Sequence, residues 1–498
     1  MNHLQPADLA RSKSFVPPAF TTPHLTLDKR RVAVLPLQNL SPDPNDEYFA
    51  DGMTDELISA ISNVSGLSVI SRTSVMQYKR PSKKLAAIGE DLGAGTILEG
   101  SIRKAGNKVR VAVQLIEVKE DKHLWAQNYD RELQDVFAVQ SDIAERVARA
   151  LEVKVLGEER HRLDARASKN TEAIALYMKG RASLNEDNEN SVRTAIEYFG
   201  RAVQQDTNFA LAYVGLADSY YWLGASDLGF PAMSYMNHAE GLAKAKESLD
   251  KAMAINLELG EAHATLGLWL RNELRWKEAE VEFTKALELS PSYADAHGRY
   301  AGLLVSVGKL DEALHEARRA EELDPAQAGT SLRVGTVLHY QREYDQAIEK
   351  YNQVLRLQPN YAIALLWMAA AYASKGLRDE ALGAALKWKE AVGEDFSNSL
   401  GINTGVLAWF YLIAGRRDEA EAMFKQANET DPKLSERSPT LFAYWHAWSG
   451  DIDLAFKFLD KAFEIREAEL WDIKVDPFWD PIRSDPRYMV LLQKLHLS

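Results

Sequence analysis

The stretch that decides the fold runs from residue 321 to residue 359 and reads EELDPAQAGTSLRVGTVLHYQREYDQAIEKYNQVLRLQP. A predicted helix ends at a proline near each end of this stretch, in EELDP at Pro325 and in LRLQP at Pro359. The two prolines lie 34 residues apart. One period earlier, LELSP closes in the same way at Pro291. A fixed period of this length is typical of stacked helical hairpins, each of which buries its apolar face only against its neighbours.

Small and large residues recur at matched places inside each period. Gly335 and Ala347 stand where two helices would cross, and Leu338 and Tyr351 would fill the space between them. Proline ends the second helix because it has no N–H to continue the hydrogen-bond ladder. Four glycines fall between paired helices, where a chain reversal favours positive φ: Gly308, Gly376, Gly415 and Gly450.

At these diagnostic positions the chain resembles the tetratricopeptide repeat. The resemblance predicts a solenoid of about eight helical hairpins over residues 158–470. The second unit carries roughly sixteen extra residues, SDLGFPAMSYMNHAEG, which read as a loop. Residues 471–498 are predicted to form a C-terminal capping helix that shields the last repeat.

Composition limits the possible function classes. The 498 residues contain no cysteine, which excludes disulfides, thiol catalysis and thiolate metal sites. Without an apolar run long enough for a membrane span or a secretory signal, the chain is predicted to be cytoplasmic. Up to Arg166 there are 23 basic and 23 acidic residues, so the net charge of −13 lies wholly in the remainder. This acidic remainder argues against nucleic-acid binding.

Residues 30–157 read as a separate α/β domain, preceded by a disordered, Pro-containing linker over residues 1–29. RVAVLPL and GLSVIS are strands, and TILEGSIRKAGNKVRVAVQLIEVKEDKHLWAQNYD contains three more. With helices between and after them, the order β-α-β-α-β-β-β-α predicts a mixed sheet. The predicted fold class is therefore an α/β domain with a mixed sheet followed by an all-α tetratricopeptide solenoid.

The α/β domain resembles the TolB amino-terminal-like (FlgO-like) domain. The likeness rests on VAVLPLQNLSPDPNDEYFADGMTDELISAIS, LSVISRTSVMQYK, ILEGSIRKAGNKVRVAVQLIE and HLWAQNYDRELQDVFAVQSDIA. In bacterial signalling proteins that domain often precedes a tetratricopeptide array and follows an adenylate cyclase, Ser/Thr kinase or winged-helix domain. Only about 29 residues precede Arg30, which is too few for such an effector.

The segment DEYFADGMTDELI, residues 46–58, packs five carboxylates into thirteen positions. As a helix start, Asn45 or Asp46 would cap one helix, Gly52 would interrupt it and Thr54 would cap a second. The carboxylates would then be cap and surface charges. The alternative is a metal or acid/base site at Asp51 and Asp55, but no histidine or nucleophile lies nearby, so the helix-start interpretation is favoured.

Other motifs also point to structure rather than chemistry. GEDLGAGTILEG has neither dinucleotide-binding nor P-loop spacing and is expected to end a helix and begin a strand. The eleven histidines form no metal-binding pair. The basic run at residues 79–84 is interpreted as a solvated loop. We therefore predict no catalytic residue, no cofactor and no metal.

Partner binding is expected on the concave face, which the first helix of each repeat lines. The predicted groove is apolar with a few polar anchors, and such a groove suits an amphipathic helix or extended peptide. Its predicted residues are Glu261, Leu268, Arg271, Asn272, Leu332, His339, Tyr340, Leu366 and Trp409.

The predicted function is a non-catalytic protein-interaction scaffold that binds a protein or peptide partner, with the α/β domain sensing or docking. The alternative is a part of a bacterial signalling protein (adenylate cyclase, Ser/Thr kinase or winged-helix regulator) whose effector domain is missing. Small-ligand sensing by the α/β domain is a third possibility, for which the sequence offers no pocket residues.

Overall fold

The computed structural model describes residues 27–80, 83–157, 159, 168–186, 188–224, 236–393, 396 and 401–498. The predicted linker lies outside this range up to residue 26, as do most of the predicted loop after Gly224 and residues 81–82 of the basic run. In the described ranges the chain forms an α/β domain followed by a long series of paired helices.

The α/β domain is built on a mixed six-stranded sheet in the order β3-β1-β4-β5-β6, with the short β2 pairing with β4. The pairs β3-β1 and β1-β4 are parallel, whereas β4-β5 and β5-β6 are antiparallel. The strands are β1 (Asp28–Val34), β2 (Gln38–Asn39), β3 (Ser68–Val69), β4 (Ala94–Ala105), β5 (Lys108–Glu117) and β6 (Lys122–Glu132). Val32, Ala33 and Val34 are fully buried, as expected for a central parallel strand.

Four helices accompany the sheet: α1 (Glu47–Ser62), α2 (Arg72–Met76), α3 (Leu85–Leu92) and α4 (Val136–Ala150). The predicted interruption of α1 is wrong. Gly52 lies inside a continuous helix, and Thr54 caps nothing, because its hydroxyl donates to the Ala50 carbonyl and accepts from the Leu37 N–H. Asp46 occupies the N-cap position of α1 without a side-chain cap hydrogen bond. Gly93 ends α3 in the left-handed conformation, and β4 begins at the next residue.

Eight pairs of helices follow in the described residues. They are α5 (Thr171–Leu184) with α6 (Glu189–Gln205), α7 (Ala210–Gly224) with α8 (His238–Ile255), α9 (Gly260–Asn272) with α10 (Trp276–Leu289), α11 (Ala294–Val307) with α12 (Leu310–Leu323), α13 (Ala328–Tyr340) with α14 (Tyr344–Leu357), α15 (Ala362–Lys375) with α16 (Arg378–Val392), α17 (Ile402–Ile413) with α18 (Arg417–Thr430), and α20 (Pro439–Ser449) with α21 (Ile452–Glu464). The short α19 (Leu434–Arg437) precedes α20. The predicted fold class is confirmed.

Small residues occupy the helix crossings for a steric reason. A Cβ added to Gly335 would lie 2.5 Å from Cε1 of Tyr351, a residue that is fully buried. The same relation joins Gly267 to Phe283 in the α9–α10 pair, where the nearest distance would be 2.9 Å. The glycines predicted to reverse the chain have φ between +77° and +88°, which confirms that prediction: Gly308, Gly376, Gly415 and Gly450.

The chain after α21 differs from the predicted capping helix. Residues 468–482, called here the C-terminal segment, contain two 3-10 turns, Ala468–Leu470 and Pro477–Ile482, and only then follows α22 (Pro486–Lys494). Trp471, Ile473 and Trp479 of this segment share a core with α9, α10, α20 and α21. Trp276 of α10 donates its indole N–H to the Leu495 carbonyl at 2.7 Å. The tail therefore ties the last repeat to the third pair rather than covering the last repeat alone.

Candidate functional site

The α/β domain is anchored to the first repeats through an apolar core. A Cβ on Gly52 of α1 would lie 2.9 Å from both Cβ and Cγ of Met178 in α5, so the two helices are in close contact. Phe137 of α4 meets Phe209 edge to face, with ring centroids 6.1 Å apart, and Phe209 also contacts Tyr177. Because these residues belong to one continuous buried cluster, this side of the domain contact is a fixed apolar attachment.

The opposite side of the α/β domain contacts later repeats through hydrogen bonds. The Ser74 hydroxyl donates to Asp324 at 2.6 Å and accepts from the Ala326 N–H at 2.9 Å. The Ser292 hydroxyl donates to the Leu67 carbonyl and accepts from the Val69 N–H. Such hydrogen bonds contribute about 1 kcal/mol each, because water competes for the same groups. This side of the contact is therefore polar and weaker than the apolar attachment.

A cavity of about 630 Å³ lies between the two contacts. One wall is formed by α1 and the start of α2, and the other by the first helices of successive repeats, α5, α7, α9 and α11. Its volume falls in the range of small-molecule pockets, which occur preferentially at domain interfaces.

Asp55 is a buried charged group of the cavity, with a side chain that is 5% exposed. Its carboxylate forms an ion pair with Arg72 at 2.9 Å and accepts a hydrogen bond from the Asn185 amide at 3.0 Å. Arg181 lies 3.7 Å from the same carboxylate. Burial by itself would lower the pKa of Arg181, but the adjacent Tyr177, Asp55 and Glu56 raise it above its ordinary value. Asp55 and its three partners thus form a charge network that joins the α/β domain to α5.

Carboxylates project from both walls. Glu56 of α1 accepts from the Tyr177 hydroxyl at 2.7 Å, and Glu261 of α9 accepts from the Ser59 hydroxyl at 2.8 Å. Asp218 of α7 accepts from Thr265 at 2.5 Å and lies 3.7 Å from Arg299. Burial raises the pKa of Asp218 and of Asp324, since loss of water disfavours their charged forms.

The carboxylates of the segment 46–58 divide into two groups. Asp46 pairs with Lys104, while Glu47 and Asp51 pair with Lys79, so these three are ion pairs at the rim of the domain. Asp55 and Glu56 are buried and line the cavity, which corrects the expectation that they are cap and surface charges. The alternative metal site gains no support, because no cluster of three His, Asp or Glu side chains in the described ranges is arranged to hold a metal ion.

The predicted groove is filled by the C-terminal segment. The Tyr340 hydroxyl donates to Asp472 at 3.1 Å, and Arg271 lies 3.7 Å from the same carboxylate and over the ring of Trp471. Trp409 packs edge to face on Phe478, with ring centroids 4.4 Å apart.

Of the other predicted residues, His339 also contacts this segment. His339 is fully buried among aromatic rings that include Phe478, and burial lowers its pKa to about 3. Asn272 donates its amide to the Tyr221 hydroxyl at 2.6 Å. Glu261 lines the interdomain cavity instead. The three predicted leucines are buried as well: Leu268, Leu332 and Leu366. The C-terminal segment therefore covers Arg271, His339, Tyr340 and Trp409, whereas Leu268 lines the interdomain cavity together with Glu261.

Sequence reasoning missed most of the cavity, because its residues come from six helices and the loops next to them. The repeat frame places Glu261 and Leu268 on the inner face, and both line the cavity. A charged residue at an inward position is a signal that could have drawn attention to Arg181 and Arg299 as well.

Comparison with protein families supports this architecture. A family model described as "TPR repeat" matches residues 335–376, and one described as "Tetratricopeptide repeat" matches residues 405–434. The chain contains tetratricopeptide repeats. A third model, "HilA/YgeH-like transcriptional regulator, second domain", matches residues 28–146, so the α/β domain is similar to that domain. The TolB amino-terminal-like resemblance stays a prediction.

Among curated proteins, "Putative adenylate cyclase 3" of Rhizobium meliloti (strain 1021) is 34% identical over 258 residues. The match covers 51% of this chain and 42% of that protein, so this chain spans about two fifths of its relative.

Solved structures also match parts of the chain. Pseudomonas aeruginosa pilF is 22% identical, with a TM-score of 0.34, and the match covers 46% of this chain and 93% of that one. Human IFIT1 is 18% identical, with a TM-score of 0.41, and the match covers 66% of this chain and 78% of that one. Across the ranges that the structure describes, no helix combines the length and apolar character needed to span a bilayer.

Proposed function

We propose that this chain is a non-catalytic protein-interaction scaffold, whose tetratricopeptide array binds a protein or peptide partner. The observation that supports this most directly is that the inner surface of the array already docks a folded domain in cis. Side chains of α1 and α2 meet the array through hydrogen bonds such as Ser59 to Glu261 and Ser74 to Asp324. Repeat proteins use the same concave surface for binding partners in trans.

The C-terminal segment covers Tyr340 and Trp409 of the predicted groove, so a partner could reach them only by displacing this segment. A peptide that reached Tyr340 and Trp409 would have to take the place of Asp472 and Phe478. Such a partner would present an acidic group toward Arg271 and an aromatic side chain toward Trp409, as the C-terminal segment does. The resident segment would then compete with the partner.

Affinity capture tests the proposal. The full chain and its Phe478→Ala variant are used as baits in an extract of the source cells, and each captured partner is titrated against both purified proteins. We expect a saturable partner whose affinity rises about tenfold with Phe478→Ala, because the competing segment is weakened. Met489→Ala is the matched control, since Met489 is half exposed on α22.

Two further outcomes are informative. A partner with equal affinity for all baits would place the contact outside the groove. Absence of any saturable protein partner would overturn the scaffold proposal. Circular dichroism of each bait must first show that the variants retain their helical structure.

A second candidate function is a regulatory part of a bacterial signalling protein with an adenylate cyclase, Ser/Thr kinase or winged-helix effector. It is favoured by the similarity to "Putative adenylate cyclase 3" and by the HilA/YgeH-like match over residues 28–146. The α/β domain would then be a TolB amino-terminal-like domain in its usual context. Sequencing the genomic reading frame upstream of Met1 tests this. An in-frame effector domain is expected, and an upstream stop codon would contradict it.

A further inference from the structure

Two arginines approach each other on the inner surface of the array, on the first helices of neighbouring repeats. Arg271 belongs to α9, Gly302 to α11 and Arg333 to α13. A Cβ added to Gly302 would lie 3.2 Å from a terminal guanidinium nitrogen of Arg271 and 3.2 Å from one of Arg333. The two guanidinium groups therefore converge on one point, and the missing side chain of Gly302 leaves room for them.

Arg271 is buried, and its hydrogen-bonding capacity is incompletely used. Its side chain is 4% exposed, and one terminal nitrogen donates to the Ser306 hydroxyl at 3.1 Å. Its Nε is shielded from solvent and has no hydrogen-bond partner among the described residues. A buried charged donor without a partner costs free energy, so an acceptor supplied by a ligand would stabilise this guanidinium group.

A small cavity of about 40 Å³ lies at the same place, and its charged lining residues are Arg271, Arg333 and Asp472. The two carboxylate oxygens of Asp472 accept hydrogen bonds from Ser306 and Tyr340. The nearest nitrogen of Arg271 lies 3.7 Å from this carboxylate, which is beyond hydrogen-bond distance. The lining thus has an excess of positive charge, although the net charge of the whole chain is −13.

The size and the charge of this cavity select a class of ligand. A volume of about 40 Å³ holds one small ion or a few water molecules, since a single water needs about 10–15 Å³. A guanidinium group has five N–H donors, so it can keep an existing partner and still donate to a ligand. Its planar fork matches the oxygens of phosphate. Two such groups around one small space suit an anion with several oxygens.

We propose that the pocket formed by Arg271, Gly302 and Arg333 binds a phosphoryl group, either as free inorganic phosphate or as the terminal group of a larger molecule. The anion would accept hydrogen bonds from both guanidinium groups. Its negative charge would repel Asp472 and compete with it for Arg271, which weakens the attachment of the C-terminal segment. A bound anion would thereby help to uncover the inner surface for a partner, and only this last consequence rests on the proposed scaffold function.

Calorimetric titration of the full chain with inorganic phosphate tests the proposal, with the ionic strength held constant by sodium chloride. We expect saturable binding of one phosphate per chain. AMP is titrated in parallel to distinguish the two sources of the phosphoryl group. Binding of phosphate alone supports a site for the free ion, and comparable binding of both supports a site for a larger molecule. Absence of saturable binding of either compound would overturn the proposal.

Two substitutions should each lower the phosphate affinity about tenfold or more. Arg333→Gln removes one guanidinium group, and Arg356→Gln is its matched control, because Arg356 is exposed on α14 outside the pocket. Gly302→Ala fills the space between the guanidinium groups. Its control is Gly329→Ala on α13, where no atom lies within 4 Å of the added Cβ. Both controls should leave the affinity unchanged, and circular dichroism should show unchanged helical content in all four variants.

Asp472→Asn is expected to change the affinity in the opposite direction. It removes the competing negative charge and should strengthen phosphate binding severalfold. In the unsubstituted chain, phosphate should accelerate hydrogen exchange in residues 468–482 and leave β4 and β5 unchanged. Weaker binding by Asp472→Asn, or slower exchange in residues 468–482, would overturn the proposed competition.

Equal weakening by Arg333→Gln and Arg356→Gln would identify general attraction of phosphate to surface cations and would overturn the pocket. None of these measurements requires a protein partner. Failure to bind phosphate would leave the scaffold proposal standing, and failure to capture a partner would leave the phosphate site standing.

Discussion

At the scale of single residues, two aspartates of α1 differ in what surrounds them. Asp51 and Asp55 are one helical turn apart, and both pair with a cation. Asp51 meets the flexible Lys79 at a partly exposed site, whereas Asp55 is buried between Arg72 and Arg181. The energetic roles of the two side chains should therefore differ.

Asp55→Asn is expected to destabilise the protein by about 3 kcal/mol, because it leaves buried guanidinium charge without its partner. Asp51→Asn should cost less than about 1 kcal/mol, as is usual for pairs near the surface. The measurement is urea unfolding of the full chain, followed by tryptophan fluorescence. Equal midpoints for the two variants would contradict the assignment of Asp55 to a buried network.

Alanine substitution of two helical glycines is expected to change the stability of the protein in opposite directions. Gly52→Ala places a Cβ 2.9 Å from Met178, so the α1–α5 contact must shift, at a cost of about 1–3 kcal/mol. Gly383 in α16 is exposed with no atom within 4 Å of the added Cβ, so Gly383→Ala should stabilise by about 0.5–1 kcal/mol. Thermal unfolding of both variants checks this. A gain in stability from Gly52→Ala would show that the contact is looser than described.

At the scale of elements, the C-terminal segment is held by apolar burial together with buried acids. Asp476 accepts from the Tyr444 hydroxyl at 2.6 Å and from the Phe478 N–H. Burial raises its pKa to about 6, the adjacent Asp472 adds to the rise, and Arg483 opposes it. Burial and the nearby Glu469 also raise the pKa of Glu467.

The attachment of this segment should therefore weaken as pH rises. A carboxyl group whose pKa is higher in the folded than in the unfolded state contributes stability below its unfolded pKa. That contribution is lost as the pH rises through the folded-state pKa, which is about 6 for Asp476. Hydrogen exchange in residues 468–482, corrected for intrinsic rates, should be faster at about pH 7.5 than at about pH 5. Asp476→Asn keeps an oxygen acceptor and should reduce this difference. A protection factor that rises with pH would contradict the prediction.

Trp479 is expected to be the main apolar anchor of the same segment. It is fully buried and stacks on Tyr444 with ring centroids 4.0 Å apart. Trp479→Ala should cost about 3–5 kcal/mol. Exchange should accelerate in α9, α10, α20 and α21, which share its core, and should not change in β4 and β5. Met489→Ala is the control, and exchange that accelerates equally for both variants would contradict this role.

At the scale of the whole molecule, the α/β domain is attached on one side by an apolar core and on the other by hydrogen bonds. The double variant Ser74→Ala, Ser292→Ala removes hydroxyls from the polar side only. We expect a loss of about 2 kcal/mol and faster exchange around α2 and β3, with α1 and α5 unchanged. Thr284→Ala, which removes an exposed hydroxyl of α10, is the control. Faster exchange throughout α1 would show that the two contacts do not separate.

Local signals in the sequence determined the repeats. Three signals recur within about 34 residues: proline after each second helix, glycine between the helices of a pair and small residues where helices cross. The pattern in Pro325, Gly335 and Pro359 therefore predicts the hairpin without reference to the remainder of the chain. Alternation and turn residues likewise predict the strands of the α/β domain, because these signals act between chain neighbours.

Only the tertiary structure decided what covers the inner surface of the array. Arg271, His339 and Trp409 are inward-facing by their place in the repeat, but the segment that buries them lies more than 50 residues further along the chain. Asp55 and Glu261 stand about 200 residues apart and line one cavity. Such contacts depend on how the stacked repeats curve and on where the two ends of the chain pack. No local pattern encodes that geometry, so the site between the domains became visible only in the folded molecule.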